Sequence, residues 1–557
     1  MKLFAGFAAA PPATRRLVVA TLTLACAAPV ITRLSHLEGL APESHLIFER
    51  LFTFNDHWQS MAMLAALLLA LVCRPLREGA SRLAGWMGDH AAQTALLGFI
   101  GLALGAQFIY RAHPLSMDEY VPWMQAHALA KGQGALHYPP ALLDAIVPPT
   151  FQGSFVLVDH ASGAATSVYW PGLALLLTPL VAPDLGWCLN PAFGALTLLL
   201  LHRLACDAAG DARAGGWAML AALASPQFTV NAMSWYAMPG ELALNLLFLW
   251  LLLRPRRRAA FAAGLAGGLC LVMHNPVPHA LMAAPCLAWL ALDRSRWPRL
   301  LAVLVGYVPL GLGLGLGWWL LKTGFGDAVT QTAAAPAGPL EALSRVLVWP
   351  NAVLLTARWQ ALWKVWIWAS PGLLLMPLMP RARPLAERLL LAAFVLTFAF
   401  YLFVRFDQGH GWGFRYIHPA WGALPVAAGL WLAGAQGWAR QWGVATLAAG
   451  LLATPVFLWQ TQASIDQALS FRLAPEGPGD WVVFVSQATG RYRSDLVQNA
   501  DSPSPRLTLL SRGERADRTL MAQHFPDAVE VMQDSRGSAW RLPAGRLSAA
   551  PVAKPPQ

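Results

Sequence analysis

The stretch TALLGFIGLALGAQFIYRAHPLSMDEYVPW, residues 94–123, joins an apolar segment to two adjacent carboxylates. Its first part is long and apolar enough to cross a bilayer as a helix, which takes about 20 residues. Asp118 and Glu119 follow where that helix ends. A charged side chain at the centre of a membrane costs about 2.5–3.5 kcal/mol, and this cost largely disappears at the membrane edge. The pair therefore indicates either a helix cap or a functional site at the rim of a bundle.

The composition is typical of a polytopic membrane protein. The chain has 557 residues, of which 56% are hydrophobic and only 12% are charged. A soluble fold of this length does not bury so much apolar surface, so we predict an all-α polytopic membrane protein. Apolar runs of the required length predict about thirteen transmembrane helices. They lie near 17–33, 58–73, 93–110, 187–206, 214–230, 238–253, 259–273, 277–292, 299–321, 363–379, 389–404, 418–434 and 441–460.

The distribution of Lys and Arg predicts the orientation, because positively charged loops resist translocation. These residues collect in alternate short loops, for example RPRRR at 254–258. We expect a multi-pass protein of a bacterial inner membrane, with a cytoplasmic N-terminus and a periplasmic region from about residue 461. The net charge of +11 reflects this asymmetry. It does not indicate nucleic-acid binding, because no basic face is interleaved with aromatic residues.

The predicted spans and loops divide the chain into three regions. Residues 1–92 form a predicted N-terminal extension with two spans, and residues 93–460 form the main transmembrane domain. Two long outer loops, 111–186 and 322–362, interrupt that domain and are where function is usually carried. Residues 461–557 form a small periplasmic α/β domain.

Local patterns refine two of these regions. In the C-terminal domain, WVVFVS, LTLLS, AVEVMQD and SAWRL predict short strands, and RTLMAQHF predicts a helix. In the first outer loop, YWPGLALLLTPLV predicts an interfacial or re-entrant helix. A full span there would invert every later loop and place RPRRR outside, against the charge bias.

Asp118 and Glu119 leave two interpretations open. Adjacent carboxylates at the mouth of a bundle can accept a proton from an acceptor hydroxyl or amine. Acidic residues also favour a helix N-terminus, so the pair can simply cap the helix EYVPWMQAHALA.

Further candidate residues lie in the same outer loops. Arg405 and Arg415 lie in the third outer loop, VRFDQGHGWGFRYIHP, and are candidates for a two-point phosphate clamp. The alternative is that they only extend to the membrane interface. The remaining candidates for substrate binding are polar or aromatic residues in the first outer loop, namely Lys131, His137, Tyr138 and Asp159. For Asp159 a turn role is the alternative.

The histidines give a weaker signal. His274 and His279 in MHNPVPH are five residues apart with prolines between them, which is a poor spacing for a metal site. We expect both to be solvated turn residues. No metal site and no cofactor are predicted, since adjacent carboxylates without further clustered ligands are a weak metal motif.

The motifs together resemble a known family. MDEY after a span, YWPG at the end of the first outer loop and FRYIHP late in the bundle are similar to elements of the GT-C membrane glycosyltransferases of family 39. That group includes protein O-mannosyltransferases and aminoarabinose transferases. The resemblance covers about residues 93–435 and the outer C-terminal domain, and it departs from the family in having about two additional spans at the N-terminus.

This resemblance implies an inverting glycosyltransferase that uses a polyprenyl-phosphate sugar. It implies that Asp118 is the catalytic base, that Glu119 organises the site, and that Arg415 and Tyr416 face the donor phosphate. The predicted partners are that donor, an envelope acceptor and membrane lipids. Such a reaction needs no nucleotide, and the chain has no P-loop; GLGLGLG at 311–317 lies inside an apolar span. The alternatives are a lipid-linked glycan polymerase or ligase and a lipid flippase or transporter.

Overall fold

The computed structural model describes residues 10–35, 50–323, 325, 344, 346–405, 409–487, 493–500 and 504–547. It is a helical bundle followed by a small sheet domain, which confirms the predicted fold class. The helices of the bundle are α1 (Pro12–Leu34), α2 (Asp56–Val72), α3 (Arg74–Asp89), α4 (Ala91–Phe108), α5 (Met117–Ala130), α6 (Leu143–Ile146), α7 (Gly172–Leu177), α8 (Leu189–Ala209), α9 (Ala212–Leu223), α10 (Pro226–Asn231), α11 (Met238–Leu252), α12 (Arg257–Leu271), α13 (Val277–Ala291), α14 (Trp297–Tyr307), α15 (Gly315–Thr323), α16 (Ala352–Trp368), α17 (Leu385–Tyr401), α18 (Ala423–Gly434) and α19 (Gly437–Leu469).

Several of these helices are long and apolar enough to cross a bilayer. Five segments of the described chain meet both conditions, among them α1, α4 and α19; there are six if α2 and α3, which meet at 95°, form one broken span. Three shorter apolar helices are α11, α13 and α18. The predicted total of about thirteen crossings stays a prediction.

One predicted span lies in a different place. The sequence predicts a helix near 363–379, whereas α16 covers Ala352–Trp368. Asn351 begins this helix, because its side chain accepts a hydrogen bond from the backbone N–H of Leu354 at 2.9 Å. Pro371 follows its end and disfavours helical continuation. The apolar run LLLMPLM after Pro371 was therefore misleading, and part of the predicted loop 322–362 is helical.

The first long loop contains helix α5 and a small sheet. Strands β1 (Leu136–His137), β2 (Val156–Asp159) and β3 (Ala164–Ser167) pair antiparallel in the order β1-β3-β2. Helix α7, within the predicted interfacial segment, has only six residues. It is too short to cross a membrane, in agreement with the interfacial or re-entrant prediction.

Strands β4 (His410–Gly411) and β5 (Gly413–Phe414) form a hairpin before α18. The C-terminal sheet then has the order β7-β6-β9-β8. Its elements are β6 (Asp480–Val485), β7 (Arg506–Leu510), α20 (Glu514–His524), β8 (Val529–Asp534) and β9 (Gly537–Leu542). These positions confirm all four predicted strands and the predicted helix.

The predicted domain boundaries at 92/93 and 460/461 do not coincide with breaks in the packing. Helix α19 continues to Leu469 through the polar sequence QTQASIDQAL, so 460/461 lies inside a helix. Helix α2 packs against α19, and α3 packs against α9. The N-terminal helices therefore belong to the same bundle as the predicted main domain.

Candidate active site

Helix α5 presents the acidic pair, and its first turn separates the two carboxylates. Ser116 and Glu119 form a capping box: the backbone N–H of Ser116 donates to Glu119 Oε2 at 3.1 Å, and the Ser116 side chain accepts from the N–H of residue 119. Capping is thus performed by Ser116 and Glu119. Consecutive side chains of a helix point about 100° apart, so the Asp118 side chain points in a different direction from that of Glu119.

The Glu119 carboxylate is fully buried and has several donors around it. Its Oε1 accepts from the Tyr110 hydroxyl at 2.7 Å and from the Trp235 backbone N–H at 3.0 Å, while Oε2 also accepts from the Leu115 N–H at 3.0 Å. Burial raises the pKa of Glu119 to about 7 despite these hydrogen bonds. These contacts tie α5 to the segment around Trp235, so Glu119 has the environment of an organising residue.

Asp118 lies in a different environment. Its Oδ2 is 3.0 Å from Nη1 of Arg415, and its Oδ1 accepts a hydrogen bond from the Tyr169 hydroxyl. The Asp118 side chain is 20% exposed and that of Arg415 is 10% exposed. Burial alone would raise the pKa of Asp118, but the charge of Arg415 and the Tyr169 hydrogen bond hold it below its usual value. Asp118 is therefore ionised at neutral pH and accessible.

Aromatic rings surround this ion pair. The Arg415 guanidinium lies over the Tyr236 ring, 4.6 Å from its centroid, and the Tyr236 hydroxyl is 3.1 Å from Ser116 Oγ. Tyr169 stacks on His274 with centroids 3.9 Å apart. The predicted motif YWPG contains Tyr169, so the sequence pointed to this segment without identifying the residue.

The expectation of two solvated turn histidines is wrong. His274 is half-buried against Tyr169, and burial lowers its pKa to about 4, so its ring is neutral. His279 is buried and its two ring nitrogens lie 2.7 Å from Asn245 Oδ1 and 2.7 Å from the Tyr307 hydroxyl. Their distant partners, which the local sequence does not reveal, shield the His274 ring in part and the His279 ring almost completely from water.

The β4–β5 hairpin positions Arg415. The backbone N–H of Arg415 donates to the Gly409 carbonyl at 2.7 Å, and the N–H of Phe414 donates to Gln227 Oε1 at 3.2 Å. Gly413 has a φ of +71°, and a Cβ there would meet Gln227. The turn therefore requires glycine, and it directs the following arginine toward Asp118.

Four of the predicted substrate-binding residues lie in the first long loop, and the structure shows the surroundings of each. Tyr138 donates from its hydroxyl to the Asn499 carbonyl at 3.1 Å, and His137 lies in β1 opposite Ala164. Lys131 is exposed at the C-terminal end of α5. Asp159 accepts hydrogen bonds from the N–H of residue 161 and from the side chain of residue 162, which is the turn role considered as its alternative.

The two arginines of the predicted clamp, Arg405 and Arg415, differ from each other in their surroundings. The Arg405 side chain is exposed, and its backbone N–H donates to the Val346 carbonyl at 2.8 Å. Tyr416 stacks on Tyr401 with ring centroids 4.3 Å apart. Of these two arginines, Arg415 is 3.0 Å from Asp118, and a clamp of two arginines stays a prediction. In the described part of the chain, no group of three or more His, Cys, Asp or Glu residues is arranged to hold a metal ion.

No family model matches the chain, and no curated protein matches it. Among solved structures, ArnT from Cupriavidus metallidurans bound to undecaprenyl phosphate is similar over 83% of this chain and 99% of its own, with 14% identity and a TM-score of 0.48. ArnT from the same organism in the apo state covers 81% and 98%, with 14% identity and a TM-score of 0.44. Membership of this chain in glycosyltransferase family 39 stays a prediction.

Proposed function

We propose that the protein is an integral membrane glycosyltransferase that moves a sugar from a polyprenyl-phosphate donor to an acceptor in the cell envelope. One observation carries this proposal: an ionised, accessible carboxylate, Asp118, lies 3.0 Å from the guanidinium of Arg415. The Tyr169 hydroxyl donates to this carboxylate, and the guanidinium lies over the Tyr236 ring. A base beside a cation is what displacement of a phosphate from a sugar requires. The donor class follows the family resemblance of the sequence motifs.

In the proposed reaction, Asp118 accepts the proton of an acceptor hydroxyl or amine. The acceptor oxygen or nitrogen forms a bond to the anomeric carbon, while the bond from that carbon to the phosphate oxygen breaks. Polyprenyl phosphate leaves with the electron pair, and Arg415 stabilises the developing negative charge. A single displacement of this kind inverts the configuration at the anomeric carbon. Tyr169 orients the carboxylate through its hydrogen bond to Oδ1.

The direct test uses purified protein in detergent with a polyprenyl-phosphate sugar and an extract of envelope lipids and glycans. Release of polyprenyl phosphate together with a glycosylated acceptor supports the proposal. Growth of a lipid-linked glycan chain would instead support a polymerase or ligase. Movement of the intact donor across a proteoliposome membrane without cleavage would support a flippase.

Arg415→Lys tests the phosphate contact. Lysine keeps the charge but loses the planar, two-point geometry of a guanidinium, so we expect the KM for the donor to rise while expression is maintained. The matched control is Arg440→Lys, because that side chain is exposed and lies outside the candidate site. An unchanged KM in Arg415→Lys would assign Arg415 to a role in the fold alone.

We also propose the location and the orientation. Helices long and apolar enough to cross a bilayer support a multi-pass protein, and the Lys and Arg distribution supports a cytoplasmic N-terminus in a bacterial inner membrane. Tyr138 and Asn499 join the first long loop to the C-terminal domain, so both would be periplasmic. A C-terminal reporter that is active only in the cytoplasm would contradict this orientation.

A further inference from the structure

The segment that carries Tyr169 lies in neither a helix nor a strand. The Tyr169 hydroxyl donates to Asp118, and residues 168–170 connect β3 to α7. The hydrogen bonds of a regular element therefore do not fix this segment. Its backbone groups need partners from other parts of the chain, and those partners set the position of the hydroxyl.

Two side chains of helix α15 bind consecutive carbonyl groups of this segment. Trp318 Nε1 donates to the Tyr169 carbonyl at 2.7 Å. Lys322 Nζ donates to the Val168 carbonyl at 2.6 Å. A donor that carries a charge forms a stronger hydrogen bond than a neutral one. Helix α15 thus holds the backbone at and before Tyr169 through its side chains.

The residues of α15 that meet the first long loop share one face of the helix. Gly315, Trp318 and Lys322 are spaced three and four residues apart, which places them in line. A Cβ at Gly315 would lie 2.6 Å from the Trp170 ring, so glycine leaves room for that ring beside the helix. Trp318 is 5% exposed, whereas Trp319 is 55% exposed. One face of α15 therefore holds the loop, and the other faces outward.

We propose that Trp318 and Lys322 are positioning residues, which hold the Tyr169 hydroxyl on the Asp118 carboxylate by binding two consecutive backbone carbonyls. This inference rests on the proposed glycosyl transfer, in which Asp118 is the base. The indole of Trp318 binds the backbone of Tyr169, while the hydroxyl of the same tyrosine binds Asp118. Orientation of a base matters, because an error of about 1 Å can lower a rate by about 10²-fold.

The first test compares Trp318→Phe with Trp319→Phe in the full-length protein. Both variants remove an indole N–H and keep an aromatic ring, but Trp319 lies on the exposed face. We expect Trp318→Phe to lower kcat for transfer by about 10- to 10²-fold. The KM for the donor should not change, because the β4–β5 hairpin holds Arg415 independently of α15. Trp319→Phe should keep the wild-type kcat.

A double-mutant cycle with Tyr169→Phe separates positioning from a general loss of structure. Tyr169→Phe removes the hydroxyl that Trp318 positions. Adding Trp318→Phe to it should therefore lower kcat by less than about twofold further. A purely structural effect of Trp318→Phe would instead lower kcat by the same factor in both backgrounds, because independent effects multiply.

Hydrogen exchange measures the same segment without transfer. The N–H of Trp170 donates to the His274 carbonyl at 3.1 Å, on the side of the segment away from the α15 donors. Loss of a carbonyl partner should loosen residues 168–170 as a unit. Exchange at their amides should be faster in Trp318→Phe than in the wild type, and exchange in α1 should be unchanged.

Lys322→Met provides a second variant of the same contact. Methionine keeps most of the length of the side chain but has no group that can donate to the Val168 carbonyl. We expect the same faster exchange at 168–170, the same lower kcat and the same non-additivity with Tyr169→Phe. If Trp318→Phe does not fold, the results for Lys322→Met apply in its place.

Wild-type kcat in a folded variant, or an equal loss with and without the Tyr169 hydroxyl, would overturn the inference. A higher donor KM at unchanged kcat would also overturn it, because the side chain would then act on donor binding. Unchanged exchange at 168–170 in every folded variant would do the same. If the wild-type protein transfers no sugar, the proposed function fails, whereas exchange still tests whether α15 holds the segment.

Discussion

The pairs Asp118–Arg415 and Asp56–Lys364 each join a carboxylate to a cation, yet their surroundings differ. Asp118 and Arg415 are 3.0 Å apart with side chains 20% and 10% exposed. Asp56 and Lys364 are 2.6 Å apart with side chains 1% and 0% exposed. We refer to these as the open pair and the sealed pair.

In the sealed pair, protein groups occupy both oxygens of the carboxylate. Lys364 donates to Asp56 Oδ2, and Trp368 Nε1 donates to Oδ1 at 2.8 Å. Lys364 Nζ also lies 3.3 Å from the carbonyl of Gly411, in the hairpin that leads to Arg415. The sealed pair therefore supports the elements that position the open one. Accessibility of the carboxylate, rather than the presence of an ion pair, distinguishes the catalytic candidate from the structural one.

Lys364→Ala should have the largest effect, because it leaves the Asp56 carboxylate buried without its cation. We expect a loss of about 3–5 kcal/mol in the free energy of unfolding. Thermal unfolding in detergent, together with the yield of folded protein, measures this loss. Lys364→Met combined with Asp56→Leu should recover much of the stability, since it removes both charges. If Lys364→Ala is as stable as the wild type, the sealed pair does not stabilise the fold.

Asp118→Asn should separate catalysis from folding. Asparagine keeps the size of the side chain and an oxygen for hydrogen bonding, but it accepts no proton. We expect transfer to fall by a factor on the order of 10²–10⁴, with a smaller loss of unfolding temperature than in Lys364→Ala because the open pair is partly exposed. Asp159→Asn, in the turn of the first loop, is the matched control. Near-normal transfer by Asp118→Asn would show that the open pair is also structural.

Glu119→Gln should lower stability more than Asp118→Asn does. Every described partner of Glu119 donates to it, so an amide nitrogen in place of either oxygen would face a donor. We expect a cost of about 1–3 kcal/mol, measured by thermal unfolding. If Glu119→Gln is as stable as the wild type, the hydrogen bonds around this carboxylate contribute little to the fold.

The smallest expected effect is a difference between Asp118 and Glu119 in how each contributes to stability as the pH changes. Burial raises the pKa of Glu119 to about 7, so its contribution to stability is highest below about pH 4.3 and declines as pH rises to 7. The pKa of Asp118 is lowered, so its contribution is present above about pH 3.9 and is lost as the pH falls below that value. Between pH 5 and 8, the unfolding temperature of the wild type should therefore fall relative to that of Glu119→Gln. Parallel curves would contradict the burial effect at Glu119.

Much of the architecture could be predicted because helices that face lipid or a packed core have long apolar runs. The runs near 17–33, 58–73 and 93–110 lie on α1, α2 and α4. The strands of the C-terminal domain were equally clear, since short β-rich segments alternate with turn residues. Helix α16 was misplaced because Arg358 interrupts its apolar run. In the structure Arg358 is buried and donates to the carbonyls of Tyr401 and Val404.

The sequence by itself determined the helical membrane class, the positions of most helices and the presence of an acidic pair where one of them ends. Tertiary structure decided what each acid does. Adjacent side chains on a helix point in different directions, so Glu119 turns into the protein while Asp118 meets Tyr169 and Arg415, which are 51 and 297 residues away along the chain. Burial and hydrogen bonding depend on such distant partners, and hydrophobic periodicity reports only the face a helix buries, not the residue that it meets there.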